Sequence, residues 1–193
     1  MNVGTAHYPG PPTSESPEEC AVFAFPDPSA ESLTGEPPGV WAEVLPHLEE
    51  TAGTYWLTVA RPDGRPHTRP VLVVWVDGRP CFASGQESAK SRLMAASPEV
   101  SLAFGTGRMD VVVEGAVERV RDPERLVRVA EAYAARHGWA PVAGDGELTG
   151  PEGAPTAGPP PYGVFCVAPS TVFAFPSGEL PHGPTRWRFD VWP

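Results

Sequence analysis

Apolar runs between residues 54 and 100 predict a set of β-strands joined by tight turns and followed by a helix. Three apolar segments containing β-branched and aromatic residues are separated by Asp63-Gly64 and Asp77-Gly78. Asp-Gly between apolar runs favours a hairpin, because the turn needs a positive φ that glycine adopts without steric cost. Residues 54–88 are therefore predicted to form a three-stranded antiparallel meander.

A short basic helix is predicted to follow the meander, beginning just after Ser88 and ending before Pro98. Ser88, Lys90 and Arg92 cluster at its start, where free backbone N–H groups and a nearby lysine suit a phosphate group. Lys90 is the stronger candidate for a phosphate contact, since Arg92 lies about 200° further round the helix. The alternative for both side chains is an ordinary solvated position on the helix surface.

Apolar periodicity in the rest of the chain predicts further strands and two further helices. Strands are expected at 100–104, 110–120, 164–168, 171–175 and 185–189, with Gly115 as a bulge or close-approach point. Helices are expected at 41–50 and 123–137, the second with a buried stripe formed by Leu126, Ala130, Tyr133 and Ala134. Six or seven antiparallel strands with so few helices predict a mainly β fold, a β-barrel with flanking helices.

Two stretches depart from this regular pattern. Residues 71–76 lack alternation, which predicts a central strand buried on both faces. Residues 140–162 form a Gly/Pro-rich loop that is too long for a simple connection, and either a lid over a binding site or disorder would explain it.

A cationic face is predicted on the middle strand of the meander. Arg65, His67 and Arg69 are spaced two apart, which places their side chains on one side of the strand. Unpaired charges are not buried, so these residues face solvent or meet an anionic ligand. Ligand contact is the prediction for Arg69.

The composition divides the chain at about residue 38. Residues 1–38 contain eight prolines and six acidic residues but no lysine or arginine, which predicts a disordered acidic tail. The apolar patch at 22–25 is a candidate contact with a partner subunit, or simply an apolar part of the tail. Residues 39–193 are predicted to form one folded domain.

Charge, hydropathy and cysteine usage exclude several classes of protein. The formal net charge of −10 argues against nucleic-acid binding, and no apolar stretch approaches the roughly 20 residues that span a bilayer. The three cysteines are widely spaced and odd in number, which predicts reduced thiols and neither a disulfide framework nor a zinc site. We therefore expect a cytoplasmic protein without a metal centre.

Several segments, in order, resemble the pyridoxamine 5′-phosphate oxidase-like family of flavin-binding split β-barrels. They are WLTVARPDGRPHTRPV, a strand ending in FASG, SAKSRL, and VVVEGAVERV followed by DPERL. GAPTAGPPPYGVF and TRWRF are similar to a subset common among actinobacterial members, and the resemblance covers residues 41–189. It implies a homodimer that binds FMN, or in a related branch the deazaflavin coenzyme F420, in two grooves at the subunit interface.

The resemblance also implies roles for individual residues. One strand would lie along the isoalloxazine ring, the next would end at a hydroxyl group, and Lys90 would hold the phosphate together with Ser88. A ring-contacting glutamine of the oxidases is replaced by an aspartate here, and C-terminal Arg and Trp residues would reach the cofactor of the other subunit. The implied cofactor-binding residues are Arg69, Pro70, Val71, Leu72, Val73, Ser84, Ser88, Lys90, Asp110, Arg186 and Trp187.

The sequence departs from the oxidases at two positions that bear on function. Ala89 stands where the oxidases have a phosphate-binding arginine, and Val74 replaces a lysine. No counterpart of the Arg-and-His pocket for pyridoxal phosphate is found either. The prediction is therefore an FMN-dependent oxidoreductase acting on an unidentified small molecule, with vitamin B6 oxidation disfavoured and no catalytic residue assigned.

Two alternatives keep the same fold. The first is a deazaflavin-dependent (F420) reductase, whose cofactor carries a long anionic tail that needs a basic groove. The second is a non-catalytic flavin or haem carrier, in which His67 or His137 would have to ligate the haem iron.

Overall fold

The computed structural model describes residues 27–150, 154 and 159–190, which contain three helices and eleven strands. The helices are α1 (Trp41–Glu49), α2 (Ala89–Ala96) and α3 (Pro123–His137). The strands are β1 (Ser29–Ser32), β2 (Tyr55–Ala60), β3 (Pro66–Val71), β4 (Val73–Val76), β5 (Arg79–Gly85), β6 (Glu99–Gly105), β7 (Met109–Val120), β8 (Val142–Gly144), β9 (Glu147–Thr149), β10 (Tyr162–Pro176) and β11 (Thr185–Arg188).

The strands form one antiparallel sheet that curls into a split barrel. Its main path runs β1-β11-β10-β7-β6-β2-β3, and β4 joins through β5 to β10. The long strand β10 pairs with β7 along most of its length and changes its other partner from β5 to β11. The mainly β barrel is confirmed, but six or seven strands was too few, because short strands and one strand break raise the number to eleven.

The predicted meander contains four strands instead of three. The turns are as predicted, with positive φ at Gly64 in the first and at Asp77 and Gly78 in the second. The middle segment breaks at Leu72, because β3 pairs with β2 whereas β4 pairs with β5. This change of partner turns the chain from one side of the barrel to the other.

The ends of the helices follow their capping residues. The Ser88 hydroxyl accepts the Ser91 N–H at the start of α2, and the Asp122 carboxylate caps α3 in the same way. Gly138 ends α3 in the left-handed conformation, with φ of 66°. The buried stripe of α3 contains Val129 in place of the predicted Ala134, because spacings of three and four from Leu126 lead to 129, 130 and 133.

Strands β7 and β10 approach most closely at Gly115. A Cβ atom there would lie 2.0 Å from the carbonyl oxygen of Ala168, so no other residue fits. The pairing register shifts between Pro169 and Thr171 on the opposite strand. Gly115 is thus the close-approach point that was predicted, and the bulge lies on β10.

The apolar cluster between α3 and the sheet contains a cross-strand disulfide. Cys81 on β5 and Cys166 on β10 face one another in the ladder, are completely inaccessible to solvent and are bonded through their sulfur atoms. The prediction of reduced thiols is therefore wrong for this pair. The 85-residue separation in sequence hid a contact that only the pairing of β5 with β10 creates.

Two boundaries predicted from composition also need correction. Residues 29–32, assigned to the disordered tail, form β1 and pair with β11, whereas the apolar patch at 22–25 lies outside the described residues. The loop at 140–162 includes the β8–β9 hairpin, with positive φ at Asp145 and Gly146. Tyr162, at its end, is buried in β10.

Candidate functional site

The break between β3 and β4 is bonded to β5 through Tyr133 of α3. The hydroxyl of Tyr133 accepts a hydrogen bond from the Ala83 N–H (2.8 Å) and donates one to the Leu72 carbonyl oxygen (3.0 Å). Burial raises the pKa of Tyr133 far above its ordinary value, so the hydroxyl keeps its proton. The buried Tyr133 hydroxyl therefore links the backbone of Leu72, at the break, to the backbone of Ala83 in β5.

A small cavity opens beside this break and contains four of the predicted site residues. Its lining combines apolar side chains with polar surface, and the lysine of α2 contributes the one cationic side chain. The lining residues are Pro70, Val71, Leu72, Ala83, Lys90, Tyr133, Trp139 and Ala154. The fold thus brings the strand predicted to bind the flavin ring next to the lysine predicted to bind its phosphate.

Lys90 is the single lysine of the chain, and its environment is unusual for a surface lysine. The side chain is half-buried, and among the described residues it forms no ion pair. Burial and the neighbouring charge of Arg69 both lower the pKa of Lys90. A partly desolvated cation that lacks a carboxylate partner is suited to an anionic ligand.

Further cations surround Lys90 on the β2–β3 hairpin. Arg69 is exposed, and its guanidinium donates to the Thr68 carbonyl oxygen (2.8 Å). His67 is 6% exposed, and the Arg61 guanidinium donates to its Nδ1 over 3.3 Å, which makes that nitrogen an acceptor. Burial, Arg69, Arg61 and Lys90 together lower the pKa of His67, so this histidine is neutral near pH 7.

Three serine hydroxyls support the start of α2. Ser84 lies 3.0 Å from Ser88 and 2.8 Å from Ser91, and the third side of this triangle is 3.0 Å. Ser84 is completely buried, and its hydroxyl contacts both serines at the start of the helix. The sequence prediction named Ser84 and Ser88 but missed Ser91, although the Ser-x-x-Ser spacing of a helix cap was a usable signal.

The remaining predicted site residues, Val73, Asp110, Arg186 and Trp187, do not line the Lys90 cavity. Asp110 is exposed on β7, three strand spacings or roughly 14 Å along the sheet from β3. Val73 and Trp187 are completely buried, and the Trp187 indole N–H donates to the Gly39 carbonyl oxygen (3.0 Å). Arg186 forms an ion pair with Glu31 of β1. The segment TRWRF (residues 185–189) thus packs as the last strand, as predicted for these residues.

Neither a metal site nor a membrane span is found in the part of the chain that the structure describes. No three His, Cys, Asp or Glu side chains there are grouped to hold a metal ion. No helix among those residues combines the length and apolar character needed to cross a bilayer. The ring of His137 donates from Nε2 to the Val73 carbonyl oxygen (2.9 Å), so that nitrogen is already engaged.

Fold and site together define a split β-barrel with a small pocket beside α2 that Lys90 lines. Comparison with known families matches residues 43–176 to the pyridoxamine 5′-phosphate oxidase family. The chain therefore belongs to that family. This membership agrees with the resemblance that the sequence motifs carry.

Individual proteins match the chain over part of its length or at low sequence identity. A pyridoxine/pyridoxamine 5′-phosphate oxidase of Ectopseudomonas mendocina is 41% identical over 88 residues, which are 44% of this chain and 40% of that protein. A conserved hypothetical protein of Mycobacterium tuberculosis superposes with a TM-score of 0.55 at 20% identity, over 72% of this chain and 85% of the other.

A second similar solved structure is that of a protein described as FMN binding. It is a pyridoxamine 5′-phosphate oxidase-related, FMN binding protein of Nostoc punctiforme, with a TM-score of 0.51 at 18% identity over 76% of this chain and 87% of that one. At such identities the two structural likenesses show the fold alone.

Proposed function

We propose that this protein binds FMN beside α2 and acts as a flavin-dependent oxidoreductase on a small molecule. The observation that carries the proposal is the half-buried ammonium group of Lys90, which lies next to Arg69 and forms no ion pair among the described residues. It stands at the rim of a cavity walled by Pro70, Val71 and Leu72. An anionic phosphate and an apolar ring system match these two halves of the site.

The donor set fits a phosphate group. Lys90 and Arg69 supply two positive charges from different elements, and the start of α2 adds backbone N–H groups. A phosphate dianion would offset the mutual repulsion of these cations, which is why binding is expected to raise the pKa of Lys90 again. Since Ala89 replaces an arginine, Arg69 carries the second charge.

The ring side of the site is shaped by the break at Leu72. Tyr133 holds the backbone of Leu72 against Ala83, so the strand from Arg69 to Leu72 presents a fixed edge to a flat ligand. The flavin, when bound, would supply the hydride chemistry, while the protein supplies position, charge and exclusion of water. In this account Lys90 and Arg69 bind, and Tyr133 positions.

We further propose that two copies complete each site. Trp56, Val112, Phe173 and Arg186 form one outward-facing row across the sheet, and Trp56 is 50% exposed. Asp110 and the 42%-exposed Phe175 lie on the same face. A second copy covering this face would bury its aromatic residues, so light scattering is expected to give the mass of a dimer.

The deazaflavin F420 is the second candidate cofactor, on a specific observation. Two arginines beyond the Lys90 cavity, Arg61 and Arg92, line a neighbouring groove, and the tail of a deazaflavin is anionic. FMN is preferred as the first candidate because Lys90 and the neighbouring Arg69 provide two cations for one phosphate group.

The test is a cofactor titration of the purified full chain. Its absorption from about 300 to 550 nm is recorded first, and FMN and deazaflavin are then titrated while their fluorescence is followed. Saturable FMN binding at one molecule per chain is the expected result. Tighter binding of the deazaflavin would replace the first candidate by the second, and binding of neither would refute both.

A further inference from the structure

An open groove next to the Lys90 cavity lies between the β2–β3 hairpin and the outer face of α2. Its volume is about 700 Å³, and Arg69, which lies near Lys90, forms part of its lining. The hairpin contributes Arg61, Pro62, Asp63, His67 and Arg69, and the helix contributes Ala89, Arg92, Leu93 and Ala96.

The positive charge of this groove is not neutralised by the side chains around it. Its one carboxylate, Asp63, is held by Arg65 through contacts of 2.7 and 2.9 Å, and Arg65 itself does not line the groove. Arg92 lies 3.9 Å from the carboxylate of Glu87, whose side chain is 97% exposed, and such a pair contributes little.

Arg61 is likewise without a strong anionic partner. Its guanidinium donates to the neutral ring of His67, and among the described residues it forms no ion pair. Apart from Arg69, which the proposed function assigns to the cofactor phosphate, the groove therefore contributes Arg61 and Arg92 in a chain whose net charge is −10. Such a local excess of positive charge attracts anions despite the overall charge.

The length of the groove exceeds what one phosphate group requires. Ala89, Arg92, Leu93 and Ala96 follow the spacing of one helix face, so the groove runs along all of α2. At 1.5 Å per residue this face is roughly 10 Å long. Lys90 points about 100° away from Ala89, towards the other cavity.

We propose that this groove binds a second anionic group, a phosphate or carboxylate, of a ligand other than the phosphate held by Lys90. The proposal rests on the proposed function, because it takes the Lys90 cavity as the place of the cofactor phosphate. Two sources of the anion share this chemistry. It belongs either to an anionic tail of the cofactor or to a separate anionic substrate that approaches the bound cofactor.

The experiment uses the full chain loaded with FMN and inorganic tripolyphosphate as the probe. Calorimetry is expected to show saturable binding of tripolyphosphate at one site per chain. Arg61→Gln and Arg92→Gln should each weaken it by roughly tenfold or more, the scale of a charge-assisted hydrogen bond. Arg108→Gln is the matched control, because it removes one exposed arginine outside the groove and should change nothing.

A parallel titration identifies the source of the anion. If the double variant Arg61→Gln/Arg92→Gln weakens binding of the deazaflavin but not of FMN, the groove holds a cofactor tail. If both cofactors bind normally while tripolyphosphate is lost, the groove holds a separate anionic ligand.

Other outcomes would overturn one proposal or the other. The groove proposal fails if tripolyphosphate does not bind, or if Arg108→Gln weakens it as much as Arg92→Gln does. If FMN does not bind, the calorimetry is repeated without it. Tripolyphosphate binding that still depends on Arg92 would then remove the proposed cofactor and leave the groove in place.

Discussion

Arg69 on β3 and Lys90 on α2 lie close enough for the positive charge of the arginine to lower the pKa of the lysine. The two residues are 21 positions apart and come from different elements, so the packing of α2 against the hairpin brings them together. Neither cation is paired with a carboxylate of the described residues, so their mutual repulsion destabilises the unliganded site. We infer that their proximity serves a ligand.

Chemical labelling of amines reports directly on Lys90. The chain offers only Lys90 and the terminal α-amino group to an amine-reactive reagent such as an N-hydroxysuccinimide ester. FMN is expected to slow modification of Lys90, because the phosphate would cover its ammonium group, while the α-amino group reacts at an unchanged rate. Peptide mass spectrometry measures both rates in one sample. Equal labelling of Lys90 with and without saturating FMN would exclude the contact.

Replacement of Tyr133 by phenylalanine tests the positioning of the ring-binding strand. Tyr133→Phe leaves the Leu72 carbonyl and the Ala83 N–H without their buried partner, which should lower the free energy of unfolding by about 1–3 kcal/mol. FMN affinity should fall as well, because the strand edge is no longer fixed.

The matched control for this variant is Tyr55→Phe. The Tyr55 hydroxyl accepts from the Trp75 indole N–H and donates to the Thr51 carbonyl oxygen, so its loss leaves the bonds to Leu72 and Ala83 intact. It should reduce stability without changing the dissociation constant of FMN. The positioning role is wrong if Tyr133→Phe loses stability alone.

The disulfide is checked by counting thiols. Alkylation of the unfolded chain without reductant should modify one of its three cysteines, Cys20, and prior reduction should expose all three. Loss of the cross-link in Cys166→Ala is expected to cost on the order of 2–5 kcal/mol of stability, because it closes a long loop. Three reactive thiols before reduction would contradict the disulfide and restore the prediction made from cysteine spacing.

Two glycine substitutions test the pairing of β7 with β10. Gly115→Ala would drive a methyl group into the backbone of Ala168, so a loss of about 1–3 kcal/mol or more is expected from chemical denaturation. Gly144→Ala is the control, because open space surrounds that position and stability should change little. Similar stability of the two variants would show that the strands do not approach as described.

Features of the fold that depend on local chemistry were predictable from the sequence. The Asp-Gly turns, the caps at Ser88 and Asp122, and the end of α3 at Gly138 each follow from a few adjacent residues. Features that depend on distant partners were not. Strand β1 exists because Glu31 and its neighbours pair with β11 more than 150 residues later, and the break at Leu72 reflects two different partner strands.

The candidate site divides in the same way. Lys90 and the strand from Pro70 to Leu72 were identified from motifs and do line one cavity. Tyr133 was predicted only as a core residue, since nothing in its helical spacing reveals that its hydroxyl reaches the strand break. Trp187 was assigned to the cofactor but is completely buried, because the last strand packs its alternate side chains inward.

The most direct test compares FMN with riboflavin, which lacks the phosphate, in the wild-type chain and in Lys90→Gln. If Lys90 holds the phosphate, the substitution should weaken FMN binding by about 1.5–3 kcal/mol and leave the dissociation constant of riboflavin unchanged. Fluorescence titration of the four combinations gives both numbers. Equal FMN affinity in the two proteins would contradict the account of the site.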